Sequence, residues 1–213
     1  MRNYFDKQLN ELNGELITMG HMVEQAIEYA IDAIVHHDVD KAKSNMEYDN
    51  DIDHQMRDIE ALCMKLLMKQ QPVASDLRLV SAALRMVADM ERIGDQAADI
   101  SEISSYLSDA RDLPEMEVIK KMAAESMIMV VDAIQAFVNR DMEKAEEVVQ
   151  RDDVMDELFL EAKRTLIRLI QDKTDYTEAA ADLLLVSKYF ERIGDHAENI
   201  AKWVIYTISG ERR

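Results

Sequence analysis

This 213-residue sequence predicts an all-α fold, a tandem repeat of two three-helix bundles with six long helices. Three observations carry the prediction. Apolar residues recur at spacings of three and four almost everywhere along the chain. Helix breakers are scarce: the chain has 5 Gly and 2 Pro against 15 Met, a mixture that suits long helices and argues against a turn-rich β sandwich or barrel. The halves also repeat each other. ERIGDQAADI at 91–100 returns as ERIGDHAENI at 191–200, an offset of 100, and VHHDVDKA at 35–42 returns as VNRDMEKA at 138–145, an offset of 103.

The first helix is written between Leu16 and Val35, where Met19, Met22, Val23, Ala26, Ile27, Ala30 and Ile34 keep helical spacing. HHDVD interrupts it, and Asp38 is the expected N-cap of a second helix running from about 39 to 70. QQPVASD, with Pro72 and a capping Ser75 or Asp76, separates this from a third helix over about 76–108. SDARDLPE then divides the chain into repeats at 1–110 and 111–213, with Pro114 suited to the first turn of a new helix. Three further helices are expected at about 115–139, 141–171 and 177–209, the last closed by Gly210. Helices of roughly 30 residues are about 45 Å long, and such rods pack lengthwise in bundles.

Carboxylates interrupt the apolar stripes. On the second helix the stripe reads Ala42, Met46, Asp49, Asp53, Met56, Glu60, Cys63 and Leu67. On the fifth it reads Ala145, Val149, Asp152, Asp156, Phe159, Lys163, Leu166 and Ile170. Each pair of aspartates is four residues apart, on one face of its helix. The third helix carries Glu91, Asp95 and Asp99 at one-turn intervals, and the sixth carries Glu191, Asp195 and Asn199. Carboxylates packed in a stripe must be protonated, paired, solvated or metal-bound, because an unpaired buried charge costs several kcal/mol. Pairing with Arg92 and Arg192 is disfavoured by position, since each points about 100° away from its neighbouring Glu. Repetition in both halves favours an ion site. All-oxygen donors indicate a hard cation, Mg, Mn, Ca or ferric iron. Gly94 and Gly194 sit beside these carboxylates, where a neighbouring helix or a ligand approaches closely.

The remaining special residues read as structure. His196 has Gln96 as its repeat counterpart, so imidazole is not a repeated ligand, and it is expected at the surface or behind a ligand. His21, His36, His37 and His54 read as surface, the Met residues as core fillers, and Cys63 as packing.

A formal net charge of -18 disfavours nucleic acid and anionic membranes as partners. It fits cations or basic protein surfaces. One cysteine excludes a disulfide framework and suits a reducing compartment. The segment MRNYFDKQLNELNGEL lacks the apolar core of a signal peptide, and no apolar run approaches the roughly 20 residues of a membrane span. A soluble cytoplasmic protein without direct membrane insertion is expected.

QQPVASDLR at 70–78, both ERIGD segments and the aspartate pairs 49/53 and 152/156 together resemble the PhoU family of phosphate-uptake regulators, over essentially the whole chain. The resemblance implies a cytoplasmic, commonly homodimeric PhoU-like protein that acts with the phosphate ABC transporter ATPase and a phosphate-sensing histidine kinase. It would hold the phosphate-starvation response off when phosphate is plentiful. It also implies metals, iron or zinc among others, with manganese or magnesium equally open here. Asp49, Asp53, Glu91 and Asp95 would form one cluster site, and Asp152, Asp156, Glu191 and Asp195 the other. Asp99 departs from the Asn expected at that position, present as Asn199 in the second half, and adds a carboxylate to the first cluster.

Three function classes compete on these residues. The first is a regulatory adaptor carrying metal, and the second a metal-free helical adaptor with solvated carboxylates. The third is a carboxylate-bridged metalloenzyme. The chain has no Glu-x-x-His, no nucleophile motif and no Gly-rich phosphate loop, so catalysis is not expected.

Overall fold

The computed structural model describes residues 2–69, 74–107, 113–172 and 174–211. Six α-helices run through them: α1 (Arg2–His36), α2 (Val39–Lys69), α3 (Ala74–Ser104), α4 (Met116–Asn139), α5 (Met142–Asp172) and α6 (Thr177–Ser209). A 3-10 turn, Thr174–Tyr176, leads into α6. The expected turn at Pro72 and the division between residues 110 and 111 lie outside the described residues. α3 starts earlier than expected, so Ser75 and Asp76 lie in its first turn rather than at its cap. Pro114 sits in the turn ahead of α4, where Met116 N–H bonds to Leu113 C=O at 3.0 Å.

The turns entering α2 and α5 use one design twice. His37 and Arg140 both take left-handed backbone, with φ of 56° and 52°. The next residue is an aspartate that caps the helix. Asp38 Oδ1 accepts from the N–H groups of Asp40 and Lys41 at 3.1 and 3.0 Å, and Asp141 Oδ1 accepts from Lys144 N–H at 3.0 Å. Two-residue connections of this kind force consecutive helices to pack antiparallel. Gly210 closes α6 with φ 77°, its N–H bonded to Tyr206 C=O at 2.9 Å.

α1, α2 and α3 form one three-helix bundle, and α4, α5 and α6 the other. The bundles are joined along α3 and α6, which pack against each other as extensively as each packs on its own bundle, and more lightly along α1 and α4. α2 and α5 therefore lie at the outer edges and α3 and α6 at the centre. One continuous apolar core runs through both halves. By length and composition alone α4 is apolar enough to cross a bilayer, with a mean hydropathy of 1.2, although charged residues interrupt it and it holds no continuous apolar run of that length. Half of its most apolar window is buried in the bundle, which is how a core helix satisfies an apolar surface.

The buried stripe of α2 differs from the predicted one. It reads Ala42, Asn45, Ile52, Ile59, Cys63 and Leu66, and the corresponding stripe of α5 reads Ala145, Val148, Met155, Ala162, Leu166 and Leu169. Every pair is separated by 103 residues. Asp49, Asp53, Asp152 and Asp156 are therefore not in the seam. Asp49, Asp53 and Asp152 are half-buried on its flank and Asp156 is exposed. Met46 and Lys163, predicted inside, are exposed as well. In α2 the residue inside, in place of Met46, is Asn45, where α5 has the apolar Val148. Asn45 Nδ2 lies 2.9 Å from Ala26 C=O, 3.1 Å from Ala97 C=O and 2.8 Å from Ser101 Oγ. Hydrogen bonds to α1 and α3 let a polar side chain sit fully inside, in place of Met46.

Most methionines are core fillers, as read from their spacing, but Met46, Met64 and Met68 face solvent, Met68 at 79% exposure. Cys63 is fully buried, and burial with the nearby Glu60 pushes its thiol up to about 12, far from reactivity. His21, His36 and His54 are exposed and His37 is half-buried.

Candidate functional site

Two acidic clusters form where α2 meets α3 and where α5 meets α6. Helical spacing alone stacks Asp49 over Asp53, and Glu91 over Asp95 and Asp99. Packing of α2 on α3 then sets the two rows against each other. Burial raises the Asp49 carboxyl above its ordinary range, and Asp95, Asp53 and Asp99 raise it further. Glu91 is raised by burial and by Asp95, with Arg92 opposing. Asp99 is raised by burial, opposed by the hydroxyl of Tyr189, which donates to it from α6.

The second cluster works the same way with different members. Burial pushes Asp152 up to about 6, helped by Glu198, Asp195 and Asp156, while Lys202 opposes. Asp195 is raised by burial and by Glu191, with Lys188 opposing. Glu198 was not among the predicted site residues. Its counterpart is Ala98, so a search for repeated carboxylates passes over it, although it lies seven residues from Glu191 and on the same line. In effect Glu198 supplies to the second cluster the extra carboxylate that Asp99 supplies to the first.

Each cluster carries its own cations. Arg92 Nη1 is 2.8 Å from Asp95 Oδ2, and its Nε is 3.4 Å from Glu91 Oε2. This corrects the expectation that Arg92 faces away: a long side chain reaches back one turn to the i+3 carboxylate. Arg57 Nη2 lies 2.9 Å from Asp53 Oδ2. In the second cluster Lys188 pairs with the buried Glu191, and Lys202 Nζ is 2.6 Å from Glu198 Oε2. The cations come from different positions in the two halves: Lys188 replaces Ala88, and Arg57 replaces Leu160.

Gly94 and Gly194 are explained by the neighbouring helix. A Cβ on Gly94 would meet Ile52 Cδ1 at 3.0 Å, and one on Gly194 would meet Met155 Cγ at 3.1 Å. These are the matching seam residues of α2 and α5.

Between the clusters α3 and α6 run antiparallel, related by the internal repeat, and their contacts come in counterpart pairs. Asp89 Oδ1 is 2.9 Å from His196 Nδ1 and 3.5 Å from Asn199 Nδ2. At the counterpart of Asp89, Tyr189 donates to Asp99, the counterpart of Asn199. His196 thus joins the two bundles while staying partly exposed, with its Nδ1 turned to Asp89.

The donor chemistry suits a hard cation, but the clusters are not finished cages. Among the described residues, no group of three or more His, Cys, Asp and Glu side chains stands in an arrangement that could hold a metal ion. Arg92 and Lys188 lie across the carboxylates that would have to converge.

The sequence matches the PhoU domain family model at residues 16–104 and 119–204. A phosphate-specific transport system accessory protein PhoU homolog of Clostridium acetobutylicum is 33% identical over 212 residues, covering 99% of this chain and 97% of its own. The crystal structure of PhoU from Pseudomonas aeruginosa superposes with a TM-score of 0.94 at 31% identity, covering 97% of this chain and 100% of that one. The phosphate transport system regulatory protein PhoU from Streptococcus pneumoniae gives a TM-score of 0.90 at 27% identity, over 98% and 99% of the two chains. With both repeats matched and the full length aligned, this chain belongs to the PhoU family.

Proposed function

We propose that this chain is a non-catalytic regulator of phosphate uptake, acting as an adaptor between a phosphate ABC transporter ATPase and a phosphate-sensing histidine kinase. Under plentiful phosphate it keeps the starvation response off. Membership of a family whose relatives are named as accessory and regulatory proteins of phosphate transport is the observation that carries this reading. The net charge of -18 supports docking on basic protein surfaces rather than on nucleic acid or an anionic membrane. A homodimer and a cytoplasmic location belong to the same proposal. Binding of the purified protein to the transporter ATPase and the sensor kinase of its own organism tests it, at high and low phosphate. Absence of binding to both at high phosphate sinks the adaptor reading.

A cation on the carboxylate clusters is the finer part of the proposal. Asp49, Asp53, Glu91, Asp95 and Asp99 would hold it in the first half, and Asp152, Asp156, Glu191 and Asp195, joined by Glu198, in the second. The support is electrostatic: Asp49, Glu91, Asp99, Asp152 and Asp195, held above their ordinary range by burial and by neighbouring carboxylates, gain from any cation that neutralises them. Bound metal would supply charge neutralisation and open positions for a partner's oxygen ligands. The metal-free adaptor has its own support, since Arg57, Arg92, Lys188 and Lys202 already partner several of these carboxylates. Elemental analysis of tag-free protein, beside an Asp95→Ala/Asp195→Ala variant, separates the two. Two or more metal equivalents lost in the variant support the cation. No metal in either protein after loading with iron, manganese and zinc leaves the metal-free adaptor.

A further inference from the structure

α1 and α4 run antiparallel along their lighter contact, with Gly20 against Ile134, and Ile17 sharing a pocket with Phe137 and Val138. The two helices are repeat counterparts at an offset of 103, so each outward position of α4 has a twin on α1. Their chemistry differs. Where α1 carries His21, Glu24, Gln25 and Glu28, α4 carries Ala124, Met127, Ile128 and Val131. Ala124, Ile128 and Val138 are exposed, and Met127 and Val131 are half-buried. At these positions α1 has the polar face of a solvated helix, while α4 keeps an apolar face that its own fold leaves uncovered. The furrow between them therefore has one acidic bank and one apolar bank. Glu24 Oε2 lies 3.2 Å from His21 Nδ1, Glu28 accepts from Gln25 at 3.0 Å, and Asp32 is 4.0 Å from His36. Among the described residues no lysine or arginine pairs with any of the three. Lys120, at the start of α4, is already paired with Glu117 at 2.8 Å. The pocket shared by Ile17 and Val138 measures about 190 Å³, and Leu79, Phe137 and Arg140 also line it.

We propose that an amphipathic helix of a partner protein lies along the α1–α4 furrow, its apolar side on Met127, Ile128 and Val131 and its lysines or arginines against Glu24, Glu28 and Asp32. A furrow between two packed helices accepts the side-chain ridge of a third, and an apolar bank beside an acidic one matches a helix whose apolar stripe is bordered by cations. Other occupants fit less well. A second copy placed face to face sets acidic bank on acidic bank, or acidic bank on apolar bank, whichever way its twofold axis runs. An anionic lipid surface attracts lysine and arginine beside an apolar face, not carboxylates. The pocket at the Ile17 end has Arg140 in its lining, so it takes an apolar anchor residue rather than a basic one. The inference rests on the adaptor reading and gives that adaptor a docking surface that uses none of the carboxylates in the two clusters.

Fluorescence anisotropy tests the idea with two labelled amphipathic peptides, one of leucine and lysine and one with glutamate at every lysine, in chelator and about 150 mM salt so that exposed charges are screened. The full chain is compared with Ile128→Gln/Val131→Glu, which copies Gln25 and Glu28 of α1 onto α4. It is also compared with Glu24→Gln/Glu28→Gln and with Glu161→Gln, the last removing an exposed charge on α5. Unfolding midpoints are recorded for each, and the Glu24→Gln/Glu28→Gln arm holds however well the first variant folds. Ile128→Gln/Val131→Glu makes the protein more acidic, so general attraction predicts tighter binding of the lysine peptide and the furrow predicts weaker binding. The expected result is the lysine peptide bound more tightly than the glutamate peptide. Its binding should weaken at least about tenfold in Ile128→Gln/Val131→Glu, about threefold in Glu24→Gln/Glu28→Gln, and less than about twofold in Glu161→Gln. Unchanged or tighter binding in Ile128→Gln/Val131→Glu, equal losses in the other two variants, or equal binding of both peptides overturns the proposal. A parent that sediments as a dimer and becomes a monomer in Ile128→Gln/Val131→Glu overturns it in favour of a second copy. Flotation with phosphatidylcholine vesicles, lost in the same variant, overturns it in favour of lipid. None of those outcomes bears on whether the chain binds its transporter ATPase and kinase, so the two readings fail separately.

Discussion

Asp152→Asn is expected to stabilise this protein at neutral pH, and the effect should disappear in acid. The carboxyl is held at about 6 instead of 3.8 by burial and by Glu198, Asp195 and Asp156. A folded-state pKa raised above the unfolded value means that the native state binds the proton more readily. Stability therefore falls as pH rises from about 4 to about 6, and the full penalty is present above that window. Each unit is worth about 1.4 kcal/mol, so the whole shift converts to about 3 kcal/mol. Asp152 is half-buried, and solvent screening reduces the usable part to about 1–2 kcal/mol. Asparagine keeps the shape and removes the charge. In a chain of this size the midpoint of thermal unfolding should rise by about 3–6 °C at pH 7.5 in chelator. Near pH 4 the two proteins should unfold at nearly the same temperature. Adding manganese at pH 7.5 gives a second arm: a cation that neutralises the cluster should raise the parent more than the variant. No gain at pH 7.5, or an equal gain at pH 4, would refute the account of Asp152 as a carboxylate destabilised by its neighbours.

Other expectations follow from the unequal halves. Asn45→Ala should cost about 2 kcal/mol in urea unfolding, since it takes the Asn45 donor away from acceptors on α1 and α3, Ser101 Oγ among them, and leaves a small cavity. The double change Asn45→Val with Ser101→Ala copies the second half, where Val148 and Ala201 occupy these positions. It should lie within about 1 kcal/mol of the parent because no buried partner is left unpaired. A double variant as damaged as the single one contradicts that view. Gly94→Ala should destabilise by about 1 kcal/mol or more, because the new Cβ meets the branched, fully buried Ile52. Gly194→Ala should be near neutral: flexible Met155 can give way, and alanine gains about 1 kcal/mol of helix propensity. Equal effects at the two glycines would show that their neighbours do not set the cost.

Much of this architecture was legible in one sequence because its signals are local or repeated. Asp38 as a cap and Gly210 as a helix end depend on neighbouring residues only, and both stand as expected. The duplication was plain from two ERIGD segments. Where the reading slipped, the deciding partner was far away in the chain. Spacing and polarity run the α2 stripe through Met46, because methionine is apolar and asparagine is not. The acceptors that bury Asn45 belong to Ala26, Ala97 and Ser101 on other helices, and sequence spacing carries no trace of them. That one-residue slip placed Asp49, Asp53, Asp152 and Asp156 inside the seam rather than on its flank.

Arg92 went astray for a different reason. Direction at Cβ is a poor guide to a guanidinium three bonds further out, which curls round to Asp95. Six helices, their order, the duplication and the carboxylates that share a helix face can all be read along the chain, because backbone periodicity and capping are properties of adjacent residues. Which of those carboxylates meet, which cations answer them, and the binding of the halves by His196 and Tyr189 emerge only when the helices pack. Those outcomes depend on how two helices are rotated against each other, and that rotation is set by packing across the whole core.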